Sequence, residues 1–140
     1  MMSSIRNRDY LFVYGTLRKD ISNQMSLILA QHADFVGEGT FRGKLYDLGD
    51  YPGAVPSNEA SDLVKGDVYA LPNQKHVLRI LDEYEGCGPD EFHPTEFRRE
   101  RYSVDLNNGK TVDAWIYIYN RSTDGLEAIP SGDYLVSRER

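Results

Sequence analysis

Cysteine is almost absent from this sequence, because Cys87 is the only one among 140 residues. A single cysteine cannot form a disulfide within the chain, which agrees with a protein of the reducing cytoplasm. His93 lies near Cys87 in the sequence, but no third group is evident to orient it, so a thiol nucleophile has little support. Paired histidine spacing is missing as well, since His32, His76 and His93 are scattered, and the sequence therefore predicts no metal site.

Long apolar runs and an excess of basic residues are also missing. No run approaches the roughly 20 apolar residues that a membrane-spanning helix needs, and the polar residues 1–9 do not resemble a secretory signal. The net charge is −6 and the isoelectric point about 5.0, which disfavours nucleic-acid binding. We therefore expect neither a membrane nor a nucleic acid as partner. The length fits one domain over residues 1–140, with frayed termini at 1–9 and 136–140.

An acidic helix end is the most unusual feature that the sequence does contain. Apolar residues at three- and four-residue spacing predict a helix with one buried face, which ends before Gly86. These apolar residues are Val77, Leu78, Leu81 and Tyr84. Asp82, Glu83 and Glu85 fall in the last turn, where the helix dipole disfavours negative charge.

Two interpretations of this acidic end are open. It can be a solvated surface whose negative charges are neutralised by cations on a neighbouring strand. The candidates for these cations are Arg98, Arg99 and Arg101. Alternatively, the dipole, the neighbouring charges and burial raise the pKa of one carboxyl group. A glutamate with a raised pKa can act as a general acid/base near neutral pH.

A second notable segment lies near the N-terminus. The run Tyr10–Tyr14 predicts a buried strand, which Gly15 ends in a tight turn. The backbone N–H groups of Gly15, Thr16 and Leu17 then precede a helical segment, and such groups can bind a small anion such as a carboxylate. A simple connection between strand and helix is the alternative. The further glycines and the lysine of nucleotide-binding loops are absent.

The remaining segments predict more strands than helices, about six to two. An Asn-Gly turn at 108–109 predicts a hairpin, whose second strand carries an aromatic stripe of Trp115, Tyr117 and Tyr119. Asp50–Glu59 is expected to be a long functional loop. Repeated glycines between residues 37 and 49 indicate bulges in a sheet that curls or closes. We therefore predict an α+β fold: a curled, barrel-like, mainly antiparallel sheet with two flanking helices.

Three motifs together resemble the γ-glutamylcyclotransferase-like superfamily, in particular its γ-glutamylamine cyclotransferase-like branch. They are Val13-Tyr14-Gly15-Thr16-Leu17, Leu81-Asp82-Glu83-Tyr84-Glu85-Gly86 and Phe97-Arg98-Arg99. The resemblance implies a mixed β-barrel with flanking helices, and it implies that Glu85 is the acid/base. It also implies that the loop from Tyr14 to Leu17 holds the α-carboxylate of a γ-glutamyl substrate. A C-terminal tyrosine closes the pocket in some members, and Tyr134 corresponds to it.

The function implied by the resemblance is that of an enzyme without metal or cofactor. A γ-glutamyl cyclotransferase would release 5-oxoproline and a free amine or amino acid from a γ-glutamylamine or γ-glutamyl peptide. The alternative is a non-catalytic module that binds a small carboxylated ligand. One departure from the family is Phe97, where many relatives have a tyrosine, and this change bears on the identity of the substrate. The sequence assigns no oligomeric state.

Overall fold

The computed structural model describes residues 9–15, 24–71, 74–84 and 95–138. Within them lie seven strands and three helices: β1 (Asp9–Val13), α1 (Gln24–His32), β2 (Asp34–Asp47), β3 (Pro52–Pro56), β4 (Leu63–Leu71), α2 (Gln74–Tyr84), β5 (Phe97–Leu106), β6 (Thr111–Tyr119), β7 (Glu127–Ala128) and α3 (Tyr134–Arg138). Most of the residues expected to fray, 1–8 and 139–140, lie outside these ranges.

Five strands close into a barrel. Antiparallel pairing runs from β1 through β4 and β2 to β3, and parallel pairing of β3 with β6 and of β6 with β1 completes the ring. β5 extends the sheet beside β6 and reaches β2 at Gly39 and Thr40. At Gly39 a Cβ would lie 2.8 Å from the carbonyl oxygen of Asp105, so only glycine allows this approach. The predicted α+β barrel with mainly antiparallel pairing is confirmed.

Two cores lie on opposite faces of the barrel wall, because strand side chains alternate between faces. The inner core is filled from all five strands, and β6 contributes Ala114, Ile116 and Ile118. The outer core lies under the helices and contains Leu29 of α1 and three residues of α2, which are Val77, Leu78 and Leu81. The aromatic stripe of β6 packs with this outer core.

The predicted hairpin is confirmed between β5 and β6. The two strands pair in antiparallel register from Phe97 opposite Tyr119 to Asp105 opposite Thr111. Gly109 has a φ of 90°, which a residue with a side chain adopts only with strain, so the Asn-Gly pair suits this turn.

Several local expectations are wrong or incomplete. The expected loop Asp50–Glu59 contains strand β3, whose residues Ala54 and Val55 pair with β2. Residues on both sides of Gly37 belong to one long strand, β2, which has a register shift between Phe35 and Gly37. A one-turn helix, α3, also occurs in the C-terminal segment. Local patterns miss β3 and the length of β2 because pairing with other strands decides them.

Tyr84 does not belong to the buried face of α2, although its spacing predicted this position. Its side chain is 47% exposed, and it lines a cavity at the end of the helix. The outer core ends at Leu81, which is fully buried. The Tyr84 side chain therefore lies beyond the packed region.

Candidate active site

A cavity of about 430 Å³ opens where the end of β1 approaches the end of α2. This volume lies within the range of about 300–1,000 Å³ that is typical of small-molecule sites. The cavity is lined by Phe12, Val13, Tyr14, Gly15, Asp50, Tyr51, Pro52, Tyr84, Glu96, Phe97 and Tyr117. Among these residues two are acidic, Asp50 and Glu96, and none is Lys, Arg or His. The described wall of the cavity is thus aromatic and acidic.

Tyr14 joins three strands at the base of this cavity. Its buried hydroxyl donates a hydrogen bond to the carbonyl oxygen of Tyr117 at 2.6 Å and accepts one from the N–H of Ala54 at 3.1 Å. These bonds connect the residue after β1 with β6 and β3. The Tyr14 hydroxyl therefore has a structural role.

Gly15 forms a tight contact with the opposite wall. A Cβ at this position would lie 2.9 Å from Cγ of Pro52 and 3.0 Å from its Cδ, which is closer than real Cβ contacts allow. Pro52 is buried and begins β3. Glycine is thus required here by packing, in addition to the turn that the sequence suggested.

Tyr51 and Glu96 form a hydrogen-bonded pair in the cavity wall. The Tyr51 hydroxyl lies 2.8 and 2.7 Å from the two carboxylate oxygens of Glu96. The Tyr51 ring packs against Phe97, with the ring centroids 6.0 Å apart. The backbone of Glu96 is fixed as well, because its carbonyl oxygen accepts a hydrogen bond from the N–H of Asn120 at 2.7 Å. The carboxylate is therefore held in place by side chain and backbone together.

The end of α2 is anchored by Asp82. Its carboxylate accepts two hydrogen bonds from Arg99, with Nε at 2.8 Å and Nη2 at 3.1 Å, and one from the Tyr117 hydroxyl at 2.7 Å. The guanidinium of Arg99 lies 4.4 Å from the centre of the Trp115 ring, which is a favourable cation–π distance. The expectation that a strand arginine neutralises an acid of the helix end is confirmed for Arg99 and Asp82. Two side chains of the aromatic stripe help to hold the helix end: Tyr117 binds Asp82 directly, and Trp115 contacts the arginine that binds Asp82.

The other two candidate arginines bind different acids. Arg98 pairs with Glu100 at 2.6 Å, and Arg101 pairs with Asp9 at 2.8 Å. Both are on β5, but neither is paired with an acid of α2 in the described structure. Glu83 is exposed at the helix end, as the solvated interpretation expects.

The structure describes only part of the predicted site. Tyr14 and Gly15 line the cavity, whereas Thr16, Leu17 and Glu85 lie outside the described residues. Tyr134 is not among the described lining residues. Its hydroxyl donates to the carbonyl oxygen of Asp50 at 3.3 Å, so it contacts a segment that lines the cavity.

Sequence reasoning missed Tyr51 and Glu96. Tyr51 belongs to the turn-forming sequence Asp50-Tyr51-Pro52, which was the available signal. The sequence predicts a long loop for this segment without singling out the tyrosine. Glu96 carried no signal, since it follows a polar, proline-containing segment. Phe97, the departure from the family pattern, lies in the cavity wall and is almost fully buried.

No group of three or more His, Cys, Asp or Glu residues suited to a metal ion occurs in the described parts of the chain. None of the described helices has the length and apolar character needed to cross a membrane.

Comparison with known proteins identifies the family. The sequence pattern of one family, described as "Gamma-glutamyl cyclotransferase, AIG2-like", matches residues 11–136. The chain belongs to this family. The resemblance seen in the three motifs is thereby confirmed, and the matched region includes every described strand except the first residues of β1.

Relatives of this cyclotransferase-family chain match it over nearly its whole length. The Escherichia coli K12 gamma-glutamylcyclotransferase family protein YtfP is 36% identical over 126 residues, which make up 89% of this chain and 95% of that protein. The solution structure of YtfP from Escherichia coli has a TM-score of 0.61 at 33% identity and covers 94% of this chain and 99% of that one. The crystal structure of an AIG2-like protein from Mus musculus has a TM-score of 0.69 at 24% identity, with coverage of 88% and 86%. The mouse structure supports the fold alone.

Proposed function

We propose that this chain is a γ-glutamyl cyclotransferase that converts a γ-glutamylamine or γ-glutamyl peptide into 5-oxoproline and a free amine or amino acid. Its family and the name of its bacterial relative support cyclotransferase activity. In the proposed reaction the substrate's α-amino nitrogen attacks its own γ-carbonyl carbon. The ring C–N bond forms, the original amide C–N bond breaks, and the departing nitrogen takes up the proton that the attacking nitrogen loses.

The observation that carries this proposal is the convergence of two distant motifs on one cavity. Tyr14 and Gly15 come from the N-terminal motif, and Tyr84 comes from the helix-end motif about 70 residues later; all three line the same space. Because nucleophile and electrophile belong to one molecule, the protein mainly needs to hold the cyclising conformer and to transfer protons. A cavity that joins an anion-binding loop to an acidic helix end suits this task.

In this proposal the loop from Tyr14 to Leu17 binds the substrate's α-carboxylate through backbone N–H groups. Tyr14 fits such a role because its hydroxyl already joins β6 and β3 and so fixes the start of the loop. The close contact between Gly15 and Pro52 adds a second fixed point. Tyr134 would act indirectly, through its hydrogen bond to the carbonyl oxygen of Asp50.

Glu85 is proposed to accept the proton from the α-ammonium group and to return it to the departing amine. It directly follows Tyr84, the last described residue of α2 and a lining residue of the cavity. Arg99, the cation that binds the end of α2, is already neutralised by Asp82. This arginine therefore does little to offset the field of the helix end, which favours a protonated carboxyl group.

The test is a panel of γ-glutamyl compounds with detection of 5-oxoproline. We expect Glu85→Gln to lower kcat by about 100-fold or more, which is the usual scale of losing a general acid/base. Glu83→Gln, a matched change at an exposed residue of the same helix end, should stay within about two-fold of the unmodified protein. Full 5-oxoproline production by Glu85→Gln would show that Glu85 is not the acid/base.

Calorimetry with the same panel separates this function from that of a binding module. Tight binding of a γ-glutamyl compound without any 5-oxoproline would favour the module. An enzyme should instead produce 5-oxoproline and the free amine in equal amounts, since both arise from one bond cleavage.

A further inference from the structure

We infer that Glu96, held by Tyr51, makes the cavity selective for γ-glutamyl compounds whose leaving amine carries a second, positively charged amino group. The inference rests on the proposed function and concerns the part of the substrate that leaves. It separates diamine-like leaving groups from amino acids and peptides, whose carboxylates bear the opposite charge.

The first step is the charge of the cavity wall. Asp50 and Glu96 are acidic, and the described lining contains no basic side chain to neutralise a carboxylate. The carboxylate of a leaving amino acid or peptide would enter a space that Asp50 and Glu96 line, and like charges repel each other. An ammonium group would meet an opposite charge in a partly dehydrated site, where electrostatic attraction is stronger than in water.

The second step is the preorganisation of Glu96. The Tyr51 hydroxyl supplies one proton, shared between both carboxylate oxygens at 2.8 and 2.7 Å. A carboxylate offers about four acceptor positions, so Glu96 retains capacity for an ammonium group. The flanking backbone is fixed, because Asn120 donates from its N–H to the carbonyl of Glu96 at 2.7 Å and from Nδ2 to that of Thr95 at 3.1 Å. Little side-chain freedom is left to be lost on binding.

The third step is the aromatic environment. Tyr51, Tyr84, Phe97 and Tyr117 all line the cavity, and the faces of such rings attract ammonium groups. Rings also pack against the methylene chain that separates the two nitrogens of a diamine. Phe97, which is almost fully buried, adds an apolar ring to this wall.

The test compares three γ-glutamyl amides of similar size. Their leaving amines are 1,4-diaminobutane, n-pentylamine and 4-aminobutanoate, so that the far end is a cation, a methyl group or an anion. We expect kcat/KM to fall in that order, with the diaminobutane amide about 10- to 100-fold better than the pentylamide, the scale of a charge-assisted hydrogen bond. This preference should weaken as ionic strength rises, because salt screens the charges.

Variants then assign the preference to Glu96. Glu96→Gln should reduce the ratio of diaminobutane amide to pentylamide to about one, and Tyr51→Phe should reduce it partly. Glu38→Gln is the matched control, because it removes the same charge from an exposed position on β2 that does not line the cavity. The control should leave the ratio unchanged.

Two outcomes would overturn the inference while leaving the proposed function intact. One is equal turnover of the diaminobutane amide and the pentylamide by the unmodified protein. The other is an equal loss with both substrates in Glu96→Gln, which would mean that Glu96 binds the α-ammonium group common to them. Absence of 5-oxoproline from all three compounds and from the wider γ-glutamyl panel would instead count against the proposed function.

Discussion

Arg98 and Arg99 are neighbours in the sequence, yet they belong to two different networks on opposite faces of β5. Arg99 pairs with Asp82, which also accepts a hydrogen bond from Tyr117. Arg98 pairs with Glu100, which also accepts a hydrogen bond from Tyr102. Each network thus contains one arginine, one acid and one tyrosine.

The two networks differ in what they connect. The Arg99 network joins α2, β5 and β6, and its charged side chains are only 24% and 20% exposed. The Arg98 network is centred on β5, where its acid and its tyrosine follow at two-residue intervals, and its charged side chains are 44% and 37% exposed. Its contact outside this strand is an exposed hydrogen bond from Nη1 of Arg98 to Oδ1 of Asn120, the residue after β6. Neighbours within one strand stay close even in the unfolded chain, so their pairing contributes little to folding. The same chemical groups therefore serve tertiary structure in one network and surface solvation in the other.

The largest expected effect comes from removing one arginine at a time. Arg99→Ala should lower the free energy of unfolding by about 2–3 kcal/mol, because it leaves a partly buried carboxylate without its cation and removes a side chain packed on Trp115. Arg98→Ala should lower it by less than about 0.5 kcal/mol. Urea denaturation of both variants measures the difference. Equal losses would show that burial does not distinguish the two networks.

A smaller effect is expected from the tyrosine of the tertiary network. Tyr117→Phe removes the hydroxyl that binds Asp82 and should lower the free energy of unfolding by about 1 kcal/mol. The carbonyl oxygen of Tyr117 also accepts a hydrogen bond from the Tyr14 hydroxyl. Tyr117 therefore connects the N-terminal motif with the helix-end motif at the cavity. If the proposed function holds, kcat for 5-oxoproline release should fall about 3- to 10-fold.

Tyr102→Phe is the matched control for activity, since it removes a tyrosine hydroxyl from the other face of the same sheet. It should leave kcat unchanged. A stability loss in Tyr117→Phe without any change in kcat would limit the hydroxyl to a purely structural role.

The sequence predicted those parts of the fold that depend on local patterns. Alternation identified the two faces of β6, the Asn-Gly pair identified the hairpin, and three- and four-residue spacing identified α2. Glycine at strand positions indicated curvature, and Gly39 lies where β2 reaches β5. These predictions hold because the local conformational preferences of these segments agree with the burial that the fold imposes on them.

The cavity wall was only partly predictable, because its residues meet through tertiary contacts. Tyr51 and Glu96 lie 45 residues apart, and nothing in either local sequence indicates that they bond. Tyr84 fitted the apolar spacing of α2, but the outer core ends before it. The sequence also suggested three arginines as partners for the helix end, whereas the strand alternation of β5 turns Arg98 to the other face.

The smallest expected effect concerns the stability contribution of Tyr102. Its hydroxyl lies 2.7 Å from Glu100. This hydrogen bond is the largest influence on the pKa of Glu100 and lowers it; burial raises that pKa, and Arg98 lowers it further. Burial first, and then Glu100, raise the pKa of Tyr102, so the tyrosine stays protonated through neutral pH. A carboxylate with a lowered folded-state pKa contributes stability above its unfolded pKa of about 4.3 and loses it as the pH falls through the folded value.

Tyr102→Phe should therefore lower the free energy of unfolding by less than about 1 kcal/mol at pH 7, because the Glu100 side chain is substantially exposed to solvent. The phenyl ring keeps its packing on Phe41, whose centroid lies 5.2 Å away, so the hydroxyl alone is tested. The difference from the unmodified protein should shrink below about pH 4, as Glu100 becomes protonated in both states. Urea denaturation at pH 7 and at about pH 3 measures it. A loss as large as that of Tyr117→Phe, or one that does not change with pH, would mean that the surface network contributes to tertiary structure as the buried one does.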